Sequence, residues 1–350
     1  MDNFDLVIVG AGSAGCIVTN QIINNTNYKI LLIEAGPSDN NPVIQVPLGY
    51  GMTFYNKKMN WNFYSINQKN LHNREIYYPR GKVLGGSGSI NAMIYARGLR
   101  SDFENWDLSA KWSWENIKTA YDQIEFAVNE NTKRLPSNKI PVNDISKKHH
   151  PILNNFFDAS KDFNFTFNKN LKSSIENQVG NYNVNIFKGF RTSSSKVFLK
   201  PIRNHPNLTI LTKTEVLKLN YENNKIVSLN IKHKNKKISV KPKIGTILST
   251  GSIMTPYLLL KSGIGQAEDL KDHNIPVNLH NPNVGKNLQD HLGLDYLYKT
   301  FVPTLNKDLG TWGGRIKSVL KYLYNRSGPL ALSLNQGGGY INWNSLDPFP

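Results

Sequence analysis

Cysteine is nearly absent from this sequence, which contains only Cys16 among 350 residues. A single thiol excludes an intrachain disulfide and any metal site built from several cysteines. No apolar run reaches the roughly 18 residues of a membrane span, and no charged-then-apolar leader precedes the first strand-like segment. We therefore expect a reduced protein with no metal site and no transmembrane segment. The expected location is cytoplasmic, with peripheral membrane association as an alternative.

Acidic residues are also scarce, with 25 Asp and Glu against 42 Lys and Arg, which gives a formal charge of +17. An excess of this size is compatible with nucleic-acid binding. The lysines, however, are scattered among asparagines and isoleucines and form no helical basic stripe with interleaved aromatics. We therefore expect no nucleic-acid partner, and we interpret the run from Lys232 to Lys243 as a solvated hairpin.

The apolar residues that are present come in blocks, such as FDLVIVG (4–10), YKILLIEAG (28–36) and GTILSTG (245–251). Continuous apolar runs of this length are typical of strands buried on both faces. The segment between the first two runs has helical spacing, and the predicted packing stripe is Ala14, Ile17, Val18 and Ile22. Two parallel strands joined by a helix form a βαβ unit, so the expected class is α/β with a Rossmann-like domain.

The turn between the first strand and the helix matches G-x-G-x-x-G, from Gly10 to Gly15. In this pattern the first glycine makes the turn, the second lets backbone approach a pyrophosphate, and the third allows close helix–strand packing. Glu34 ends the second strand 19 positions after Gly15, where a carboxylate can accept hydrogen bonds from a ribose diol and repel a 2′-phosphate. The combination predicts an adenine dinucleotide.

The second half of the chain returns to the same logic, because ILSTGSIMTP (247–256) repeats a strand–glycine–helix sequence at Gly251. The cofactor domain is therefore expected to be discontinuous. Such a domain suits a long flavin dinucleotide threaded through the protein better than a detachable nicotinamide.

Three stretches carry a family resemblance: GKVLGGSGSINAMIYARG (81–98), GSIMTPYLLLKSGIG (251–265) and NVGKNLQDHLG (283–293). The first two resemble the two signatures of the glucose–methanol–choline (GMC) oxidoreductases, in the expected order, and the third is also typical of them. The resemblance is to the choline/alcohol dehydrogenase-like branch. It covers essentially the whole chain and is weakest over 129–185.

This resemblance implies FAD, oxidation of a primary alcohol to an aldehyde by hydride transfer to flavin N5, and an electron acceptor that is oxygen or a quinone-linked carrier. The glycine pattern and Glu34 would hold the AMP half, and Val216 would meet adenine through its backbone. Asn91 and Ala92 would lie nearest N5. The cofactor residues implied are Gly10, Gly12, Ser13, Ala14, Gly15, Glu34, Ala35, Arg80, Val83, Gly85, Gly86, Ser87, Asn91, Ala92, Met93, Val216, Thr250, Gly251, Asp290 and His291.

Two departures from the family pattern refine this expectation. Some relatives attach FAD covalently through a histidine just before the motif's asparagine, and Ile90 stands at that position here, so a non-covalent flavin is expected. Choline-oxidising relatives offer a carboxylate to the substrate's cation, whereas the corresponding residue here is the neutral Gln336. Gln336 is therefore a candidate substrate residue that weakens the case for choline.

The base that the family uses is a histidine in a C-terminal His-Pro-x-Gly-like motif, paired with a second histidine or asparagine. None of the eight histidines stands in that context: His72, His149, His150, His205, His233, His273, His280 and His291. We therefore assign no catalytic residue and expect a truncated chain, inactive alone, with its base beyond residue 350. The alternative is a non-catalytic flavin-binding fragment or pseudoenzyme.

The expected organisation is a discontinuous FAD-binding domain over 1–128 and 186–292, with a variable insertion or lid at 129–185. Residues 293–350 would begin an α+β substrate domain built on an antiparallel sheet. The segment RTSSSKVFL (191–199) could bind phosphate by composition, but the resemblance favours the start of a helix there.

Overall fold

The computed structural model describes residues 3–104, 106, 110–171 and 177–341. The chain separates into two compact units, each assembled from three stretches. The first unit contains residues 1–41, 52–90 and 193–297, and the second contains residues 42–51, 91–192 and 298–350.

The strands and helices are numbered along the chain. The strands are β1 Leu6–Val9, β2 Ile30–Ile33, β3 Phe63–Tyr64, β4 Tyr77–Tyr78, β5 Ile94–Tyr95, β6 Glu125–Val128, β7 Ile140–Asp144, β8 Thr166–Leu171, β9 Gln178–Val184, β10 Ile186–Phe187, β11 Phe190–Arg191, β12 Leu208–Leu211, β13 Thr214–Glu222, β14 Lys225–His233, β15 Lys236–Val240, β16 Gly245–Leu248, β17 Ile264–Gly265, β18 Leu279–His280 and β19 Gly337–Tyr340. The α-helices are α1 Ser13–Asn25, α2 Pro42–Gln45, α3 Tyr50–Thr53, α4 Arg100–Glu104, α5 Trp114–Ile124, α6 Ile152–Lys161, α7 Gly251–Lys261, α8 Ala267–Asp272, α9 Leu305–Gly310 and α10 Trp312–Asn325.

The first unit is organised by a parallel sheet of four strands in the order β12-β2-β1-β16. β1 and β2 are the two central strands, which explains why their residues are apolar on both faces. The residues of β16, at the edge, are only half-buried. The predicted βαβ unit and the α/β class are confirmed.

A three-stranded antiparallel meander, β13-β14-β15, packs over one face of this sheet. Leu219, Leu229, Ile231 and Val240 of the meander are fully buried and form one core with residues of β1, β2 and α7. β12, which precedes the meander in the chain, belongs to the parallel sheet, where it pairs with β2.

The predicted packing stripe of α1 is wrong. The buried residues are Gly15, Cys16, Thr19, Asn20 and Ile23, whereas Ala14 is exposed and Ile17, Val18 and Ile22 are only half-buried. Small and polar residues face inward because α1 lies close to neighbouring backbone. That backbone leaves room for small side chains and supplies hydrogen-bond partners to polar ones. The Asn20 amide, for example, donates to the Phe198 carbonyl at 2.8 Å.

The second unit contains a mixed sheet of six strands within the described residues. β9 is its hub: β5, β7 and β19 pair with it antiparallel and β8 pairs with it parallel, while β6 pairs with β7 in parallel. Of the polar segment over 129–185, the strands β7, β8 and β9 belong to this sheet.

The boundaries of the two units differ from those of the predicted domains. Residues 91–128 belong to the second unit, because β5 and β6 lie in its sheet. Residues 186–192 belong there as well. Pairing between strands that are far apart in sequence places the first segment there, whereas β10 and β11 of the second segment pair with each other.

Across residues 3–104, 106, 110–171 and 177–341, no helix combines the length and apolarity that are needed to cross a bilayer.

Candidate dinucleotide-binding site

The turn from β1 into α1 presents backbone N–H groups at the start of a helix. α1 begins after Gly12 with no side-chain cap and no acidic residue in its first turn. The first N–H groups of a helix have no intrahelical partner and carry the positive end of its dipole. Gly15 lets the helix sit this close, because a Cβ there would collide with the Gly10 carbonyl oxygen.

Glu34 follows β2 and is nearly fully buried beside this turn. Its Oε2 accepts a hydrogen bond from the Ala11 N–H at 2.9 Å, and its Oε1 accepts one from the Gly36 N–H at 2.9 Å. Burial raises the pKa of this carboxyl to about 6, although the backbone donors and Lys82 act in the opposite direction. The turn therefore holds an acceptor whose charge is poorly solvated.

The second glycine-rich stretch packs against the first. Gly86 has a φ of +57°, and a Cβ there would lie 2.8 Å from the Cα of Gly12. A short 3₁₀ turn, Gly86–Ser89, begins at this glycine. The Ser87 hydroxyl accepts a hydrogen bond from the Gly81 N–H at 3.0 Å. The two glycine stretches, 10–15 and 81–88, thus form one backbone wall.

A cavity of about 490 Å³ opens in the first unit in front of this wall. The predicted cofactor residues that line it are Gly10, Gly12, Ser13, Ala14, Glu34, Ala35, Arg80, Gly86, Ser87, Val216, Thr250 and Gly251. They come from five separate parts of the chain, and the structure brings them together around one space. Their roles toward a cofactor remain predictions.

Several wall residues were not predicted, among them Trp61, Met254 and Tyr257. Met254 and Tyr257 are three positions apart on α7, so helical spacing after Gly251 could have identified them. Trp61 lies in a segment without periodicity, where the Lys82 ammonium stacks over its ring at 4.4 Å from the centroid. No sequence signal marks it.

The backbone around Val216 is irregular. The pairing of β13 with β14 shifts register between Val216 and Lys218, which leaves Leu217 as the extra residue of a β-bulge. Bulges re-aim the backbone and are over-represented beside binding sites. This irregularity lies where the family resemblance predicts a backbone contact.

Other predicted cofactor residues do not line the cavity. Val83 is completely buried, and Gly85 lies against side chains of the 193–195 segment. The Asp290 carboxylate pairs with the Arg80 guanidinium at 3.3 Å at a partly exposed position, and His291 is exposed.

Asn91, Ala92 and Met93 belong to the second unit, where they form a tight turn. The Asn91 Oδ1 accepts a hydrogen bond from the Met93 N–H at 3.0 Å, and Met93 has a φ of +61°. The Met93 carbonyl in turn accepts from the Asn185 N–H at 2.9 Å. The side chain of Arg191 reaches the same turn.

Gln336 lies on the wall of a second cavity, of about 830 Å³, within the second unit. Both ends of its amide are engaged: Oε1 accepts from the His150 N–H at 2.6 Å, and Nε2 donates to the Ser333 carbonyl at 3.1 Å. His149 lines the same cavity. A substrate role for Gln336 remains a prediction.

The histidines do not gather at the cofactor cavity. Among the described residues of its wall there is none. Some ring nitrogens have structural partners, as in the 2.6 Å contact between His233 Nδ1 and the Thr214 hydroxyl. Within residues 3–104, 106, 110–171 and 177–341 no group of histidine, cysteine and carboxylate side chains is arranged to hold a metal ion.

The serine-rich segment 193–195 is buried rather than open to an anion. Ser193 donates to the Asp39 carboxylate at 3.3 Å, and Ser194 donates to the Ser13 hydroxyl at 3.4 Å. A π-helical turn, Ser195–Leu199, follows. The predicted start of a helix is therefore confirmed, and the three serines before and within it are buried.

A parallel sheet, a glycine turn into a helix, and an acid at the end of the second strand together define a dinucleotide-binding fold. The profile of the GMC oxidoreductase family matches residues 4–293. The chain belongs to the GMC oxidoreductase family, which confirms the resemblance of its motifs.

Known relatives extend beyond the length of this chain. It is 34% identical over 345 residues to "Alcohol dehydrogenase [acceptor]" of Pseudomonas putida, covering 97% of this chain and 62% of that protein. It is 30% identical to "Oxygen-dependent choline dehydrogenase" of Staphylococcus saprophyticus, covering 99% and 63%. A formate oxidase variant of Aspergillus oryzae superposes with a TM-score of 0.84 at 25% identity, covering 97% and 62%.

Proposed function

We propose that this chain is the FAD-binding part of an oxidoreductase that oxidises a primary alcohol to an aldehyde. The cavity of about 490 Å³ in the first unit would receive the dinucleotide. One observation carries the proposal: a single cavity presents a buried carboxylate, Glu34, and the uncapped start of α1.

These two features match the two polar parts of the AMP half of FAD. The Glu34 carboxylate would accept hydrogen bonds from ribose hydroxyls, while the N–H groups of α1 would donate to the pyrophosphate. Ser13 and Arg80 line the same cavity and would add a hydroxyl donor and a positive charge. A 2′-phosphate would be repelled by Glu34.

The attachment of the flavin is proposed to be non-covalent. Ile90 is 2% exposed and stands where some relatives carry the histidine that links to FAD. A hydrocarbon side chain has no nucleophilic atom for such a bond. Retention would then depend on non-covalent contacts alone.

The alcohol substrate is proposed from two relatives, which are named as an alcohol dehydrogenase and a choline dehydrogenase. Bound FAD supplies the oxidant that accepts hydride from the alcohol carbon. A base must take the hydroxyl proton, and we assign none among residues 1–350. Oxygen or a quinone-linked carrier would then take the electrons.

FAD binding by the purified chain tests the proposal directly. We expect FAD fluorescence to be quenched on titration, with a visible flavin spectrum that survives gel filtration. Glu34→Gln should weaken binding by about tenfold or more, because the carboxamide cannot accept at both of its ends. NADP should not compete.

The matched control is Glu222→Gln, an exposed carboxylate on β13 of the same unit. It should leave the FAD dissociation constant unchanged. Equal weakening by both variants, or no saturable FAD binding by the wild-type chain, would reject the proposed site.

A second candidate is flavin binding without alcohol turnover by this chain alone. It is favoured by the placement of the histidines, since the described wall of the cofactor cavity contains none. Anaerobic addition of primary alcohols to the FAD-loaded chain separates the candidates: full bleaching of the flavin absorbance indicates an enzyme, and an unchanged spectrum indicates a binding protein.

A further inference from the structure

Arg191 is one of the largest completely buried side chains, with 1% of its surface exposed. Its Nε donates to the Ile44 carbonyl at 3.0 Å, its Nη1 to the Asn91 Oδ1 at 2.8 Å and its Nη2 to the Asn91 carbonyl at 2.6 Å. Burial lowers the pKa of this guanidinium to about 10, so it stays protonated at neutral pH. A buried charge needs strong partners, and two of these three acceptors belong to one residue.

Those two acceptors belong to the turn that ends in a strained residue. Met93 has a φ of +61°, in the left-handed region that residues other than glycine rarely adopt. Such a residue persists only where its surroundings over-determine it. The Asn91 Oδ1 closes the turn by accepting from the Met93 N–H, and it is also the atom that Arg191 binds.

We propose that Arg191 is a positioning residue that locks the Asn91–Met93 turn in its left-handed conformation. The planar guanidinium fixes the Asn91 side chain and its main-chain carbonyl at once, which a single ammonium group cannot do with the same geometry. β11 pairs with β10 through Ile186 and Arg191, and the adjoining Asn185 N–H donates to the Met93 carbonyl at 2.9 Å, so this hairpin lies beside the turn.

The consequence for the cofactor rests on the proposed function. The family resemblance implies that Asn91 and Ala92 lie nearest the N5 edge of a bound flavin. A turn that is locked before the cofactor arrives presents its backbone groups without further ordering, which favours binding. Arg191 would therefore act on the flavin through Asn91.

The experiment compares wild-type protein with Arg191→Met and Arg191→Lys, using hydrogen–deuterium exchange in the absence of FAD. Without the guanidinium the turn should open more easily, so we expect the amides of residues 91–93 to exchange at least about tenfold faster in Arg191→Met. A tenfold change needs only a small shift in opening free energy. Arg191→Lys should be intermediate. Unchanged exchange in Arg191→Met would overturn the proposal.

Arg97 supplies a matched control in the same unit. Its guanidinium is also largely buried and binds the Glu125 carboxylate through two hydrogen bonds, at 2.7 and 2.6 Å. Arg97→Met should lower the melting temperature but leave exchange at 91–93 unchanged. An equal rise in both methionine variants would mean that Arg191 has only a general structural role, and would reject the proposal.

FAD titration and visible circular dichroism form the second arm. Arg191→Met should raise the FAD dissociation constant about tenfold or more and alter the flavin dichroism, while Arg97→Met stays within about twofold. If wild-type protein binds no FAD, the proposed function fails, and the exchange data still decide whether Arg191 locks the turn. Wild-type FAD binding with an unaltered Arg191→Met spectrum rejects the flavin part alone.

Asn91→Ala guards against a misfolded Arg191→Met variant. If Arg191 acts through Asn91, Asn91→Ala alone should accelerate exchange at Met93 to the level expected for Arg191→Met. The double variant should be no faster than either single one. Additive effects in the double variant would contradict the proposed route.

Discussion

The buried carboxyl of Glu34 should give this protein a pH dependence that one substitution removes. Its two oxygens are held by the N–H groups of Ala11 and Gly36 at 2.9 Å, and it is 6% exposed. Burial disfavours the ionised form more than these donors favour it, so the pKa rises from 4.5 to about 6.

The magnitude follows from that shift. One pKa unit corresponds to about 1.4 kcal/mol, so the change from 4.5 to about 6 is worth about 2 kcal/mol. Because the folded-state pKa lies above the unfolded value, this contribution to the free energy of unfolding is fully present below about pH 4.5. It is lost as pH rises through about 6.

The assay is urea unfolding of FAD-free protein at several pH values between about 4 and 7.5, on wild type and Glu34→Gln. Other carboxyls titrate in both proteins, so the quantity of interest is the difference between the two curves. The free energy of unfolding of wild type minus that of Glu34→Gln should fall by about 2 kcal/mol as the pH rises across the window. Glu222→Gln, at an exposed position of the same unit, is the control variant.

FAD affinity should show the opposite pH dependence. Ribose hydroxyls that donate to the carboxylate favour its ionised form, so FAD affinity should rise with pH across the same window, by up to about thirtyfold. A difference curve that is flat between about pH 4.5 and 6, or FAD affinity that falls with pH there, would refute the assignment of Glu34.

Further predictions concern packing and buried polar groups. Burial raises the pKa of the Cys16 thiol to about 12, so it should not react with a thiol reagent until the protein is denatured. Gly86→Ala forces a Cβ to 2.8 Å from a facing Cα at a φ of +57°, and should destabilise the protein by about 1–3 kcal/mol in thermal unfolding, while Gly245→Ala, in open space, should not. Gln336→Glu removes the amide that donates to the Ser333 carbonyl and should lower the free energy of unfolding by about 1–3 kcal/mol. The loss should be larger at high pH, where the buried carboxylate ionises, and Asn335→Asp, at an exposed position, is the control.

The features of the first unit that the sequence predicted are local. β1, the glycine turn, α1, β2 and Glu34 follow one another within about thirty residues, and their spacing alone identifies the unit. The packing face of α1 was missed because apolarity is a poor guide where a helix lies close to backbone. There the requirement for small side chains, such as that of Gly15, outweighs hydrophobicity.

The organisation of the second unit could not be predicted for a different reason. β9 pairs with strands that begin as early as Ile94 and as late as Gly337, and contacts at such separations leave no periodic trace. The 129–185 segment, predicted as a variable insertion or lid, includes Asn181 and Asn183, which are 2% and 1% exposed within β9. The composition of the segment alone does not show that these polar residues are buried.

The net charge of +17 and the local charge of the site point to different ligands, and the local charge is the better guide. A surplus of exposed lysines attracts every anion, including nucleic acid, and its effect decays within a Debye length. The cavity of the first unit is more selective, because it combines an acceptor, Glu34, with donors at the start of α1. A phosphate chain alone would be repelled by the carboxylate. A ribose diol joined to a pyrophosphate satisfies both groups, so the cavity is suited to a dinucleotide without a 2′-phosphate.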